Sequence, residues 1–390
     1  MGQELRFELA STPQILFGSG QIQNIGTQIR PFGSRVLIVA DQIALKTAKL
    51  EEILTANELE YICFIITSEP KTEDVDQGVT AGLEFEAEAV IGIGGGSALD
   101  AGKAVAALIK NGGVALDYME VVGQGHSIKN PPLPYIAVPT TAGTGTEVTK
   151  NAVILSEADK YKASIRSPLL VPKIAIIDPS LTLTVPANVT ASTGLDALTQ
   201  LIESYTSNKS QPVTDSLALL GIQKAIKSLL IAYEHGDNLA AREDMALAAL
   251  LSGICLANAG LGAVHGFASP LGASIPHGVA CAALLAVVVD QNIQTLKRKT
   301  PNSPTLIKYA KLGELVTTKS SKNSADAHQK LVQYLHELTK KLKIPPLSQF
   351  GLNESDIPDL IEKVKKSSSI RYNPVELDGV TLTKILTQVL

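Results

Sequence analysis

The sequence predicts an α/β domain at residues 1–186 followed by a helical domain at residues 187–390. In the first part, apolar runs rich in β-branched residues alternate with helical stretches, and the runs occupy residues 35–40, 62–67, 89–92, 135–138 and 173–177. Strands of this kind, separated by helices, are typical of a parallel sheet covered on both faces. After residue 186 such runs largely disappear, and Ala/Leu-rich helical patterns occupy residues 195–206, 215–233, 242–259, 306–316, 325–342 and 357–365.

The composition is that of a globular chain with a large core. Of the 390 residues, 45% are hydrophobic and 18% are charged, which argues against a disordered chain. The net charge of -4 does not favour nucleic acid or an anionic membrane as the main partner. The apolar stretch at residues 278–289 is too short to cross a bilayer, so we expect no membrane association.

The three cysteines, Cys63, Cys255 and Cys281, lie in apolar stretches, and no two of them have CxxC spacing. This pattern predicts neither a disulfide framework nor a thiolate zinc site, and it favours a reducing compartment. The N-terminal residues do not have the pattern of a secretory signal peptide. We therefore expect a cytoplasmic protein.

A glycine-rich turn, GIGGGS at residues 92–97, joins the third predicted strand to a helical pattern. Glycines let the backbone approach a phosphate closely, and the amides at a helix start point towards the anion. The turn departs from GxGxxG because Ser97 replaces the last glycine, and Lys103-Ala104 does not complete a Walker A loop. Taken alone, it fits either a phosphate site or tight packing.

Two further features are consistent with a dinucleotide site. Asp41 ends the first predicted strand, where an acidic residue binds the ribose hydroxyls and repels a 2′-phosphate, which favours NAD over NADP. Alternatively, Asp41 only terminates the strand. The segment PTTAGTGTE at residues 139–147 offers hydroxyl groups and exposed amides to a phosphate, although a purely structural turn is the alternative.

Acidic and imidazole side chains indicate a metal site in the second half. Asp196, Gln200 and Glu203 lie on one face of a predicted helix, since they are spaced by four and three residues. His265 and His277 lie in a stretch of small and apolar residues, where a buried imidazole needs a partner. A single buried histidine is more often structural, but two of them together with Asp196 favour a metal site.

Together these motifs resemble the iron-containing (group III) alcohol dehydrogenases, over nearly the whole chain. The matching motifs are GGGS at 94–97 with Asp100 and Lys103, PTTAGTGTEVT at 139–149, Asp178-Pro179 with Leu181-Thr182, GLDALT at 194–199, residues 265–277, and SSS at 367–369 with Asn373-Pro374. The resemblance implies a dehydroquinate synthase-like fold, with an N-terminal Rossmann-like α/β domain plus an all-α C-terminal domain, and a homodimer.

The resemblance also assigns roles to individual residues. It implies that the dinucleotide is bound by Asp41, Gly95, Gly96, Ser97, Asp100, Thr140, Thr141, Thr144, Asn151, Lys162 and Leu181. It implies a divalent metal, iron or zinc, on Asp196, Gln200, His265 and His277, and catalytic roles for His265, His277 and Lys162. The family has a histidine where Gln200 stands, and an amide oxygen is a weak neutral ligand. We therefore expect weaker metal binding, a preference for harder metals, or no metal.

The implied function is oxidoreduction, in which a hydride passes between a nicotinamide cofactor and a small alcohol, aldehyde or ketone with the help of a metal. Gln200 leaves open a metal-free reductase of the maleylacetate type and a cofactor-binding protein that has lost catalysis. A lyase of the dehydroquinate synthase type or a dicarboxylate reductase would need several arginines. The second half offers only Arg242, Arg298 and Arg371, which favours a neutral substrate.

Overall fold

The computed structural model describes residues 6–272, 274–317 and 320–390. The chain divides into two compact units. The α/β unit comprises residues 11–186 and 236–246, and the helical unit comprises residues 6–10, 187–235 and 247–390. The division therefore differs from a single boundary after residue 186 in two short segments, 6–10 and 236–246.

The α/β unit contains eight strands among the described residues. They are β1 Gln14–Phe17, β2 Arg35–Ala40, β3 Glu60–Ile65, β4 Ala89–Gly94, β5 Tyr135–Pro139, β6 Asn151–Ser156, β7 Tyr161–Arg166 and β8 Ile174–Ile177. Six of them form a parallel sheet in the order β1-β8-β5-β4-β2-β3, while β6 and β7 pair antiparallel. The helices of this unit are α1 Ile25–Ile29, α2 Gln42–Ala48, α3 Leu50–Ala56, α4 Thr72–Glu84, α5 Gly96–Asn111 and α6 Ala115–Tyr118.

Both faces of the parallel sheet are apolar because alternate residues of each strand point to opposite sides. Leu37 of β2 belongs to one buried cluster, together with Val75 of α4 and Val105 of α5. Ile38 belongs to a second cluster, together with Leu54 of α3. The prediction of a parallel sheet covered on both faces is thus confirmed.

The strand order predicts a binding crevice at the position where the glycine turn and Asp41 lie. From β2 the chain continues to β3 on one side, and from β4 it continues to β5 on the other, so the connections leave these two neighbouring strands in opposite directions. In open parallel sheets, ligands bind at the carboxyl ends of the strands at such a switch point. Asp41 follows β2 and Gly95 follows β4, and both therefore lie at this position.

Three strands were not predicted from the sequence. Strand β1 has only four residues, all at least partly exposed, and it pairs only with β8 at the sheet edge. In the hairpin of β6 and β7, several residues on both strands are only partly buried. Short or half-exposed strands carry a weak apolar pattern, which explains why these were missed.

The helical unit consists of nine helices in the described chain. They are α7 Ala187–Thr206, α8 Pro212–Glu234, α9 Leu239–Ala259, α10 Ala263–Leu271, α11 His277–Lys299, α12 Pro304–Leu315, α13 Ser324–Lys341, α14 Ile357–Lys366 and α15 Gly379–Val389; the first residues of α9 belong to the α/β unit. The prediction of an all-α second part is confirmed, and α10, α11 and α15 are additions to the helices predicted from the sequence.

The expectation that the apolar stretch at residues 278–289 is too short to cross a bilayer is wrong, because this stretch belongs to a longer helix. Residues 278–289 form part of α11, and its 23 residues are long and apolar enough for a membrane span. The same holds for α8, and α9 with α10 would be a third candidate span if this bent pair is taken as one. In α11, 78% of the tested window is buried inside the protein, as in a helix packed within a core. The absence of membrane association stays a prediction.

Candidate functional site

The glycine turn after β4 has a backbone that only glycine adopts without strain. Gly94 has φ +146°, and a Cβ at this position would lie 2.9 Å from the Cβ atoms of both Asp41 and Ala98. Gly95 precedes the 16-residue helix α5, and no described side chain caps its first turn. The amides of that turn are therefore available to an anion, which is the arrangement that binds a pyrophosphate.

The Thr/Gly loop at residues 139–147 lies directly against the glycine turn. The Thr140 amide donates to the Gly94 carbonyl at 2.9 Å, which continues the pairing of β4 and β5. A Cβ on Gly96 would lie 2.8 Å from Thr144 Cγ2, and one on Gly95 would lie 3.6 Å from Thr141. The structure thus brings together the turn and three threonines that the sequence assigned to the cofactor.

A buried lysine holds this loop on helix α5. Lys103 is 1% exposed, and its Nζ donates to the carbonyl oxygens of Thr146 at 2.7 Å, Asn151 at 2.8 Å and Thr149 at 3.2 Å. The Thr146 hydroxyl in turn donates to Asp100 Oδ1. Lys103 therefore attaches the loop to the helix. The sequence, in which Lys103 only resembled part of a Walker A loop, did not indicate this role.

Burial shifts the protonation of this network. Burial lowers the pKa of Lys103 to about 8, against the opposing effect of the Asp100 and Glu147 carboxylates. Burial also raises the pKa of Asp100, and it raises the pKa of Glu147 to about 7. Because three ionisable groups share one buried region, replacing one of them disturbs the other two.

Three other residues assigned to the dinucleotide have contacts within the protein. Asp41 Oδ1 accepts hydrogen bonds from the amides of Ile43 and Ala44, both at 2.9 Å, and so caps α2. The carbonyl of Asn151 accepts from Lys103, and Leu181 is 5% exposed and packs in a core cluster of the sheet. Contact of these residues with a cofactor stays a prediction.

A carboxylate that the sequence did not single out lies beside two of the assigned residues. Glu69 Oε2 accepts from the Ser97 hydroxyl at 3.4 Å, and Glu69 Oε1 lies 2.9 Å from Lys162 Nζ. Lys162 is on β7 in the α/β unit, with its side chain 8% exposed. Its catalytic role stays a prediction.

In the helical unit, four metal-ligating side chains converge. Asp196 of α7, His265 of α10, and His277 and Cys281 of α11 each offer a ligand atom, and these atoms all lie within 4.8 Å of one another. Asp196 Oδ1 lies 3.3 Å from His265 Nε2 and 3.7 Å from His277 Nε2. Asp196 is 1% exposed, yet its Oδ1 accepts no hydrogen bond from any residue that the structure describes. A buried unpaired carboxylate oxygen facing two imidazoles fits a bound cation.

Gln200 lies on the face of α7 that the sequence predicted to hold metal ligands, but its amide forms hydrogen bonds with Asp196 and Ser252. Its Nε2 donates to Asp196 Oδ2 at 3.3 Å, and its Oε1 lies 2.7 Å from the Ser252 hydroxyl, which donates to it. In this arrangement the amide nitrogen, which cannot bind a cation, faces Asp196.

Glu203, on the same face of α7, positions His265. Its Oε2 lies 2.6 Å from His265 Nδ1, and its Oε1 accepts from the Val264 amide at 2.6 Å, in the first turn of α10. Since a carboxylate only accepts hydrogen bonds, it holds a proton of His265 on Nδ1. Nε2, which faces Asp196, is then the nitrogen that binds a metal once it has lost its own proton. Glu203 is a positioning residue. The helical spacing placed it on the same face as Asp196 but did not indicate that it contacts His265.

We expect Glu203→Gln to weaken metal binding by about 10–100-fold, the usual cost of losing the partner of a histidine ligand. An amide NH₂ facing Nδ1 would favour the tautomer with the proton on Nε2, which no longer binds a metal. The measurement is calorimetric titration of the metal-free protein with Zn²⁺. The exposed Glu234→Gln on α8 is the control, and equal affinities of the two variants would contradict the role of Glu203.

The unloaded cluster favours protonated imidazoles. Burial lowers the pKa of both histidines, but the neighbouring Cys281 and Asp196 outweigh it, so the pKa of His265 is well above its usual value and that of His277 is raised. Burial raises the pKa of Asp196, but the two histidines outweigh this and the pKa is lowered. A metal entering this cluster must therefore displace protons.

All three cysteines are free thiols, but Cys281 lies among the possible metal ligands, where the sequence predicted no thiolate site. Cys281 is fully buried, and its Sγ lies 3.6 Å from His277 Nε2 and 3.7 Å from His265 Nε2. A search for CxxC could not find it, because the thiol is combined with ligands from three helices. The available signal was the spacing of four residues between His277 and Cys281, which places both on one face of α11.

Comparisons with known proteins agree over the whole chain. The profile of iron-containing alcohol dehydrogenases matches residues 12–179, and that of the C-terminal part of the Fe-containing alcohol dehydrogenase family matches residues 190–390. Alcohol dehydrogenase 4 of Saccharomyces cerevisiae is 35% identical, over 96% of both chains. The NAD-dependent methanol dehydrogenase of Bacillus methanolicus is 30% identical, over 93% of this chain and 94% of its own. The solved structure of a 1,3-propanediol oxidoreductase superposes with a TM-score of 0.91 and 31% identity, covering 99% of this chain and 100% of its own.

Proposed function

Because the chain belongs to the iron-containing alcohol dehydrogenase family, we propose that it transfers a hydride reversibly between NAD and a small neutral alcohol or its aldehyde or ketone. The observation that carries the proposal is the buried cluster around the unpaired Oδ1 of Asp196. The glycine turn at the switch point supports the cofactor half of the reaction.

The α/β unit would bind the dinucleotide through backbone amides. The first turn of α5 would bind the pyrophosphate, and the loop held by Lys103 would close over it with Thr140, Thr141 and Thr144. The nicotinamide ring supplies the hydride acceptor, and the protein supplies its position and its surroundings. A catalytic role for Lys162 is also part of the proposal, and it rests on the resemblance to the family.

The helical unit would hold a divalent cation on Asp196, His265 and His277. Such an ion supplies Lewis acidity, which lowers the pKa of an alcohol oxygen. Glu203 would hold a proton on Nδ1 of His265, so that Nε2 is the nitrogen that binds the ion. The His277 side chain is 36% exposed, whereas Asp196 and His265 are buried, so a substrate would approach from the side of His277.

A preference for NAD over NADP is proposed on the position of Asp41. Its Oδ1 caps α2, and its Oδ2 would meet the ribose hydroxyls. We expect Asp41→Asn to raise the NADPH to NADH ratio of kcat/KM by about tenfold, since it removes the repulsion of a 2′-phosphate. Asparagine still caps a helix, so folding is preserved. Steady-state kinetics with both cofactors measures the ratio, and an unchanged ratio would show that Asp41 only caps the helix.

A metal-free reductase is the second candidate, because Gln200 stands in the ligand row and bonds to Asp196 rather than presenting its oxygen to the cluster. In that case His265 and His277 would donate the proton to a carbonyl. Elemental analysis of the purified protein, combined with NADH-linked turnover of butanol and butanal, distinguishes the candidates. Turnover that survives complete removal of metal favours the reductase, and tight NADH binding without turnover favours a non-enzyme.

Location and assembly are part of the proposal. Each of the three cysteines carries a free thiol, which supports a reducing compartment such as the cytoplasm. A homodimer is proposed on family resemblance, and light scattering of the purified protein tests it.

A further inference from the structure

The centre in the helical unit contains a sulfur atom that is placed as a ligand would be. Cys281 lies one helical turn after His277 on α11 and is fully buried, so its Sγ points into the cluster beside both imidazole Nε2 atoms. The unpaired Oδ1 of Asp196 faces the same two nitrogens. A thiol, two imidazoles and a carboxylate from three helices thus surround one point.

We propose that the Cys281 thiolate is the fourth protein ligand of the metal, in place of Gln200, and that the resulting centre selects zinc or cobalt over iron. This inference rests on the metal-binding part of the proposed function. Gln200 is set apart by its hydrogen bonds, since Ser252 occupies its oxygen and its nitrogen donates to Asp196. The Sγ atom of Cys281, by contrast, contacts His265 and His277 inside the cluster.

The distances between the ligand atoms agree with a tetrahedral zinc centre. Bonds of about 2.3 Å to sulfur and about 2.0–2.1 Å to nitrogen and oxygen separate sulfur from nitrogen by about 3.6 Å and nitrogen from oxygen by about 3.4 Å. The observed sulfur–nitrogen distances are 3.6 and 3.7 Å. The observed nitrogen–oxygen distances are 3.3 and 3.7 Å. These four of the six ligand–ligand distances are therefore close to those of a tetrahedral centre, and all six are below 4.8 Å.

The exchange of an imidazole for a thiolate changes the chemistry of the centre. On loading, the Cys281 S–H bond breaks, its proton passes to solvent, and a metal–sulfur bond forms without oxidation or reduction. Soft thiolate ligands favour zinc, and protein sites in general bind Zn²⁺ more tightly than Fe²⁺. Two anionic ligands, Asp196 and Cys281, neutralise the ion's charge. All four tetrahedral positions are then filled by protein, so a substrate oxygen would enter as a fifth ligand.

The first experiment loads the wild-type protein with Co²⁺ and records its absorption spectrum. A thiolate ligand produces a near-ultraviolet charge-transfer band, which Cys281→Ser is expected to lose. Cys255→Ser, a second fully buried thiol in the same unit, is the matched control and keeps the band. We also expect Cys281→Ser to lower Zn²⁺ affinity by at least about tenfold and to reduce the preference for Zn²⁺ over Fe²⁺. Gln200→Ala, which removes only a hydrogen bond to Asp196, keeps both the band and the preference for Zn²⁺.

A second measurement does not depend on any variant folding. X-ray absorption of the zinc-loaded wild type should show one sulfur at about 2.3 Å. A shell of nitrogen and oxygen only would overturn the proposal, as would a cobalt band that persists in Cys281→Ser. A protein that binds zinc through sulfur but transfers no hydride would leave this proposal standing and contradict the proposed function. A protein that turns over alcohol but binds no metal would do the reverse.

Discussion

Replacing Asp196 with asparagine is expected to lower kcat/KM for alcohol oxidation by about 10³-fold, the several kcal/mol that a Lewis acid contributes. The variant removes the one buried carboxylate oxygen that faces both imidazoles and has no hydrogen-bond donor among the described residues. An amide in its place lacks the charge that a divalent cation requires. The variant keeps the size of the side chain, so the chain should still fold.

Two readouts separate lost metal binding from damage to the fold. For the wild type, Zn²⁺ at 100 times its Kd should add about 2.7 kcal/mol of stability and raise the melting temperature. The Asp196→Asn variant should show no such rise, and its metal-free melting temperature should change by only a few degrees. Asp359→Asn, an exposed carboxylate on α14, is the control. An Asp196→Asn protein with full activity and an undiminished response to zinc would show that the carboxylate is not a ligand.

Lys103→Met is expected to lower the free energy of unfolding by about 3–5 kcal/mol, the usual cost of breaking a buried charged contact from one side. The substitution leaves Asp100 without its neighbouring cation and deprives the carbonyls of Thr146, Thr149 and Asn151 of their donor. The loop then loses its attachment to α5, so NADH affinity should fall as well. Urea denaturation gives the stability, and NADH fluorescence gives the affinity.

The pairing with Asp100 is tested by a double-mutant cycle. If the two residues act together, Asp100→Asn combined with Lys103→Met should cost less than the sum of the single substitutions. Additive costs would mean that Lys103 acts only through the backbone carbonyls. A Lys103→Met protein within 1 kcal/mol of the wild type in stability, with unchanged NADH affinity, would contradict the role of the lysine altogether.

Much of the fold could be predicted because it follows from local patterns. The run at residues 35–40 corresponds to β2 without a shift, and the run at 135–138 lies within β5, since both strands are largely apolar and belong to a sheet covered on both faces. The edge strand β1 carried no comparable signal. Helix boundaries were found to within a few residues wherever an Ala/Leu pattern was long, except that the predicted α7 began eight residues late.

By itself, the sequence determined the order of the two parts, the glycine turn, the Thr/Gly loop and the candidate ligands Asp196, His265 and His277. Only the tertiary structure decided which neighbours these residues have. It placed Cys281 among the ligands, turned the amide of Gln200 towards Ser252, and set Glu203 against His265. The physical reason is that local periodicity specifies the face of a helix on which a side chain lies, whereas the packing of α7, α10 and α11 determines what that face meets.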